Sequence, residues 1–256
     1  MPTLVFLPGT LCDARVWQPV ADCLDTLWPK HFVDYADSDR ITAMAQVALA
    51  ETRGQIIPIG LSMGGMVALE MWQQAPDRIA ALALFDTNPG GDIESRRLAR
   101  DHQLEEAQAM GEIGLRTLML THLIPSYFAG RALRGGASPQ IPTELAEVVL
   151  AMASDGGLDV LARQSAALSD RRDFWPLLSM IDKPTLIACG AHDQLCPPEQ
   201  HRRMASLITG STLVVVEAAG HLAPLEAPDA TAVALQSLIT SIGGRIQMKV
   251  PRDAYV

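Results

Sequence analysis

Apolar and polar positions alternate in blocks along this chain, and the length of each block predicts the element it forms. Residues 3–7 are a continuous apolar run ending at Pro8-Gly9, the pattern of a buried strand entering a tight loop. Residues 16–27 then place apolar side chains at helical spacing, 31–35 form a second short strand, and 41–53 carry Met44, Ala45, Val47, Ala48 and Leu49 in a helical pattern. A third apolar run, 55–59, leads into Gly60-Leu61-Ser62-Met63-Gly64-Gly65, and the helical run that follows, 66–75, is stopped by Pro76. A fourth run, 79–85, ends in Asp86-Thr87-Asn88-Pro89-Gly90-Gly91, a strong loop signal. Near-continuous apolar strands separated by helices imply a parallel sheet covered on both faces.

Between residues 92 and 178 this alternation breaks: no strand is expected there, but helices are, at 94–110, 112–123, 143–153 and 157–168. The strand and helix pattern resumes at 183–190, with a last strand at 212–217 and a last helix at 230–242. The expected fold is therefore α/β, doubly wound, with a mostly parallel sheet of about six strands. Residues 1–91 and 179–256 form its core, and 92–178 form an all-helical cap inserted over the carboxyl edge, where open α/β sheets bind ligands. Pro58 removes a ladder donor from a central strand, so a local irregularity is expected there. The tail, 243–256, has no periodicity and reads as frayed or docked.

Composition narrows the function classes. With 48% hydrophobic and 19% charged residues over 256 positions, the chain can bury one large core. No apolar run reaches the ~20 residues needed to span a bilayer, and the start lacks a signal-peptide pattern, so a cytoplasmic location is expected. A net charge of −9 argues against nucleic acid and acidic membranes as partners and leaves a small-molecule substrate; the oligomeric state stays open. The cysteines at 12, 23, 189 and 196 have neither C-x-x-C spacing nor histidines at zinc spacing, so reduced thiols and no metal site are expected.

The G-x-S-x-G stretch at 60–64 carries the candidate chemistry. A serine attacks a carbonyl only if its hydroxyl stands clear of the backbone and reaches a base, and a sharp strand-to-helix turn supplies that exposure. Among the histidines, only His221 follows the last strand in a glycine-containing loop, Ala218-Ala219-Gly220-His221, from which a ring reaches the carboxyl edge. His102 and His122 fall in the cap helices, and His201 in a polar helical stretch. Two aspartates at strand ends compete to orient the base. Asp193, in Gly190-Ala191-His192-Asp193, is preferred over Asp86, because Asp86 opens a turn that needs an Asp or Asn for local backbone hydrogen bonds. The resulting order is Ser62, Asp193, His221.

These three motifs, the elbow at 60–64, the G-x-x-D loop at 190–193 and the Gly-His at 220–221, resemble those of the α/β-hydrolase superfamily, and the resemblance runs from residue 4 to about 242. It implies a Ser-His-Asp serine hydrolase that uses no cofactor and forms an acyl-enzyme from a small carboxylic ester, thioester or lactone. It also implies an oxyanion hole from the backbone N–H groups of Met63 and Thr10, with Leu11 as the alternative to Thr10. Family members commonly carry His-Gly-x where this chain has Pro8-Gly9-Thr10. The two antiparallel strands that usually precede the first parallel strand are expected to be absent, as in plant methylesterases and hydroxynitrile lyases. Those lyases carry a lysine after the catalytic histidine, where Leu222 stands here. Leu11, Met119, Leu123 and Leu222 are candidate pocket residues, while most apolar cap residues are expected to pack the helices together. Arg96, Arg97 and Arg100 read first as a solvated helix face, with carboxylate binding as the rival reading. C–C hydrolase or lyase chemistry on a small carboxylate remains an alternative, and a non-catalytic ligand-binding protein is the alternative from another class.

Overall fold

Successive side chains of a strand point to opposite faces, so a strand that is apolar throughout must be covered twice. Leu4 and Phe6 accordingly join Ile57, Ile59 and Phe85 in one core, while Val5 and Leu7 join Ile56, Leu82 and Leu84 in another. The computed structural model describes residues 1–128 and 143–243, so nearly all of the tail without periodicity lies outside the described residues. Six strands, β1 (Thr3–Leu7), β2 (Lys30–Phe32), β3 (Ile56–Leu61), β4 (Leu82–Phe85), β5 (Thr185–Gly190) and β6 (Thr212–Val216), pair in the order β2-β1-β3-β4-β5-β6, and every pairing is parallel. Helices α1 (Gln18–Cys23) and α10 (Pro228–Ser241) cover the first face. The second is covered by α2 (Ile41–Glu51), α3 (Met63–Gln74) and α8 (Pro198–Leu207).

Between β4 and β5 the described chain is helical, as its pattern predicts. It contains α4 (Glu94–Ala109), α5 (Gly114–Leu118), a π-helical turn (Met119–Leu123), α6 (Ile124–Phe128) and α7 (Thr143–Ser169). The helices expected at 143–153 and 157–168 are the two arms of α7, bent at Gly157, whose φ of 74° and ψ of −177° no helix interior holds. The helix expected over 16–27 is confined to α1, because the chain turns extended at Leu24. A short helix, α9 (Ala223–Glu226), precedes α10. Among the described residues no helix is long and apolar enough to cross a membrane.

Pro58 disturbs the sheet on one side only. Its pairing with Val5 of β1 is kept, but between β3 and β4 an isolated bridge at Ile56 and Ile79 is separated from the ladder that restarts at Ile59 and Ala83. That gap is why β4 starts at Leu82 rather than at residue 79.

The turn from β3 into α3 is the tightest point of the fold. Ser62 has φ 53° and ψ −113°, and every residue from Met63 to Trp72 is buried behind it. A Cβ on Gly60 would lie 2.2 Å from the Gly64 carbonyl oxygen, and one on Gly64 would lie 2.2 Å from that of Leu7. Both obstacles are backbone and cannot rotate away. Gly60→Ala should therefore destabilise the protein by about 3 kcal/mol, lowering the melting temperature by roughly 6–12 °C in a thermal unfolding scan. An unchanged midpoint would show that the elbow has room to relax.

Candidate active site

Among the described residues three non-glycine residues have positive φ, Leu11 (55°), Ser62 (53°) and Asp86 (45°), and each follows a strand at the carboxyl edge of the sheet. Such conformations cost of order 1 kcal/mol or more apiece and collect where a site must hold a side chain in place. Ser62 is held by its neighbours: its N–H donates to the Phe85 carbonyl at 2.9 Å, and its own carbonyl accepts from Thr87 Oγ1 at 2.6 Å. The Thr87 N–H in turn donates to His201 Nε2 at 3.1 Å. His201, although its stretch of sequence is that of a polar helix, is fully buried. Its Nδ1 lies 3.2 Å from the Pro197 carbonyl, and burial pushes its pKa down, so the neutral ring suits this structural role.

His221 Nε2 lies 3.0 Å from Ser62 Oγ, and His221 Nδ1 lies 2.9 Å from Asp193 Oδ2. With the carboxylate as acceptor, Nδ1 carries the proton and Nε2 presents a lone pair to the serine hydroxyl. The other oxygen, Asp193 Oδ1, accepts from the N–H groups of Leu195 and Cys196 at 2.8 and 2.9 Å, so the acid is fixed from both ends. The loops carrying Asp193 and His221 meet backbone to backbone: a Cβ on Gly190 would sit 2.1 Å from the Gly220 carbonyl oxygen.

Asp86 does not reach the histidine. It is fully buried, its Oδ1 accepts from the Gly190 N–H at 2.8 Å, and its Oδ2 has no partner among the described residues. The expectation that it serves a local turn is thus corrected, because it ties the end of β4 to the end of β5. Burial first, and the Asp193 charge second, hold its carboxyl well above the usual carboxylate range.

Asp193, Cys196 and His221 offer ligand atoms within 4.8 Å of one another, which raises the question of a metal. Their chemistry argues against one. The aspartate and histidine atoms are engaged with each other and with backbone N–H groups, and burial followed by the Asp193 charge pushes the Cys196 thiol well up, away from the thiolate a metal needs.

The helical insertion grips both loops that flank Ser62. Tyr127 of α6 accepts the His221 N–H through its carbonyl at 3.0 Å and stacks its ring on the imidazole, with centroids 5.6 Å apart. Glu226 Oε1 accepts from the N–H groups on either side, Gly220 and Leu222, at 2.9 and 3.2 Å. Gln164 of α7, itself buried, accepts the Leu11 N–H at 2.8 Å. That bond occupies the Leu11 N–H, while Thr10 Oγ1 of the same loop contacts Met63 Sδ at 3.8 Å. Gly9 of the same loop abuts Ser62: a Cβ on this glycine would lie 3.4 Å from that of the serine.

A cavity of about 460 Å³ opens onto Ser62 and His221, walled by Leu104, Leu118, Leu123 and Leu161. Of the four expected pocket residues, Leu123 lines it. Met119 and Leu222 are not among its lining residues and pack within the core. Leu11 borders a separate cavity of about 610 Å³ whose lining does not include Ser62 or His221. Tyr127, Gln164, Thr87 and Glu226 carry no local signal in the sequence, since only the fold brings them to the site.

Comparison with known proteins agrees with this architecture. The chain is 25% identical over 247 residues to a pimeloyl-[acyl-carrier protein] methyl ester esterase of Neisseria meningitidis, covering 91% of this chain and 75% of that one. It is 24% identical over 263 residues to a pyrrolizixenacetamide deacetylase of Xenorhabdus hominickii, covering 94% and 91%. Its fold superposes on a thermophilic esterase from Thermogutta terrifontis with a TM-score of 0.80 at 24% identity, covering 94% of this chain and 90% of that one. The enol-lactonase of Burkholderia xenovorans gives 0.77 at 20% identity, covering 93% and 91%. Residues 4–234 match the alpha/beta hydrolase family, and the chain belongs to it.

Proposed function

We propose that this protein is a serine hydrolase that cleaves a small-molecule carboxylic ester, thioester or lactone through an acyl-enzyme on Ser62. The observation that carries the reading is the hydrogen-bonded relay Ser62, His221, Asp193 at the mouth of a partly apolar cavity. Ser62 Oγ attacks the acyl carbon while its proton passes to His221 Nε2, and the Asp193 carboxylate stabilises the imidazolium. The N–H groups of Met63 and Thr10 take the negative charge that develops on the carbonyl oxygen, a type of contact worth about 3 kcal/mol in the transition state. The bond to the leaving group then breaks and Nε2 returns its proton to the departing alcohol or thiol. Water attacks the acyl-enzyme by the same route in reverse, giving the acid and free Ser62. No step calls for a cofactor. Residues 92–178 act in this reading as a cap over the core formed by 1–91 and 179–256. Ester hydrolysis is also what the names of several relatives describe.

Intact-mass measurement after exposure to a fluorophosphonate should find one adduct on the wild type and none on Ser62→Ala. A folded wild type that stays unlabelled would remove the serine-nucleophile reading. Gln164→Leu frees the Leu11 N–H and loosens the oxyanion loop, so kcat for an activated ester should fall about tenfold with KM nearly unchanged. A loss confined to KM would move Gln164 to substrate binding.

Asp86 supplies a pH test of which carboxyl is charged. Its raised pKa means that its contribution to stability is present below the ordinary carboxylate pKa and is lost as pH rises toward the folded-state value. Asp86→Asn keeps an acceptor for the Gly190 N–H but cannot ionise. Its melting temperature should match the wild type near pH 4 and gain on it steadily at higher pH; a constant offset would mean that Asp86 is ionised in the fold.

A further inference from the structure

In a chain of net charge −9, the cavity beside Ser62 has an unexpected wall. Its described lining residues include Arg96, Arg100 and Arg171 and not one Asp or Glu. The acid that balances them stands behind the surface: Asp92, with its side chain 5% exposed, pairs with Arg100 at 2.6 Å and with Arg171 at 3.0 Å. One carboxylate thus serves two guanidinium groups. Arg96 has no acidic partner among the described residues and also lines the adjoining cavity with Arg171. Arg96 is itself exposed, so its guanidinium stands at the solvent side of this lining.

Two donors on this wall are unsatisfied. Ser165, 3% exposed and lining the cavity, has a buried hydroxyl without a partner among the described residues, and so does the buried Nε of Arg100. A buried donor left unpaired costs of order 1–3 kcal/mol, so a site with two of them is incomplete without an acceptor. The same lining carries an apolar component that includes Leu104, Leu118 and Leu161.

We propose that the substrate's acyl part carries a carboxylate at its far end, held by Arg96, Arg100 Nε and Ser165 Oγ while an apolar stem crosses the leucine surface to Ser62. This rests on the ester-hydrolase reading above and names its substrate class, a monoester of a dicarboxylic acid. Two orphan donors match the two oxygens of a carboxylate, and Arg96 supplies charge that Asp92 does not neutralise. The acyl part is also what the enzyme must hold through both acylation and deacylation, so a fixed contact to it acts on both steps. Arg97, which does not line the cavity, keeps the solvated role its helix face suggests.

The test compares p-nitrophenyl hexanoate with mono-p-nitrophenyl adipate, which differ only in the terminal group. Wild-type kcat/KM should favour the adipate ester by at least about fivefold, the range of a partly exposed charge-assisted contact, and the preference should shrink in 0.5 M salt. Arg96→Ala and Ser165→Ala should each bring the ratio toward one, and Arg96→Glu should invert it. A wild-type ratio of one or less, or a ratio unmoved in both alanine variants, overturns the proposal. If neither ester is cleaved, the hydrolase reading fails, and calorimetry on Ser62→Ala decides the anion site separately. Tighter binding of monomethyl adipate than of methyl hexanoate sustains it; equal binding, or none, overturns it.

Discussion

Ser62 occupies a backbone conformation that L-residues avoid, and it can do so only because the chain around it has no room to relax. The N–H of the serine is fastened to Phe85 of the neighbouring strand, its carbonyl to Thr87, and the helix that follows is buried along nearly its whole length. Release of the strain would require the buried side chains of α3 to leave both the sheet and α2. The cost of the strain, on the order of 1–3 kcal/mol, is small beside that burial. The exposed hydroxyl is therefore a consequence of core packing, which ties the candidate chemistry to the stability of the sheet.

The same logic extends to the loops on either side, but the restraint there comes from the helical insertion. The loop after β1 is fastened to α7 through Gln164, and the loop after β6 is fastened to α6 through the Tyr127 carbonyl and ring. Displacing these helices would release the loop after β1 and the histidine loop together. An insertion that only covered a pocket would not need to bond to the backbone on both sides of the serine.

The architecture is legible in the sequence wherever local pattern and sheet geometry agree. Continuous apolar strands specify a parallel sheet, and a parallel sheet places every strand's exit at one edge, so counting strands brings Ser62, Asp193 and His221 to that edge. Pro58 announces the break in the β3–β4 ladder for the same local reason. The supports are not legible, because Gln164, Tyr127, Thr87 and His201 act through contacts between elements far apart in the chain, and none carries a local signature. Asp86 reads as a turn residue because Asp-Thr-Asn-Pro-Gly-Gly is a turn composition, yet its carboxyl reaches across to Gly190. Leu222 adjoins the histidine and Met119 sits among apolar cap residues, which suggests pocket positions, but helix packing turns both into the core.

The two strand-end aspartates show how one protein assigns different states to the same chemical group. Asp193 has two backbone N–H donors and a histidine proton, so its negative charge is solvated by the protein. Asp86 is fully buried, accepts the Gly190 N–H with only a weaker contribution from the Ala223 backbone, and has the Asp193 and Glu226 carboxylates near it, so a proton is the least costly way to satisfy it. Keeping Asp86 neutral leaves Asp193 as the negative charge facing the His221 ring, and a second charge behind it would add repulsion to the buried pair.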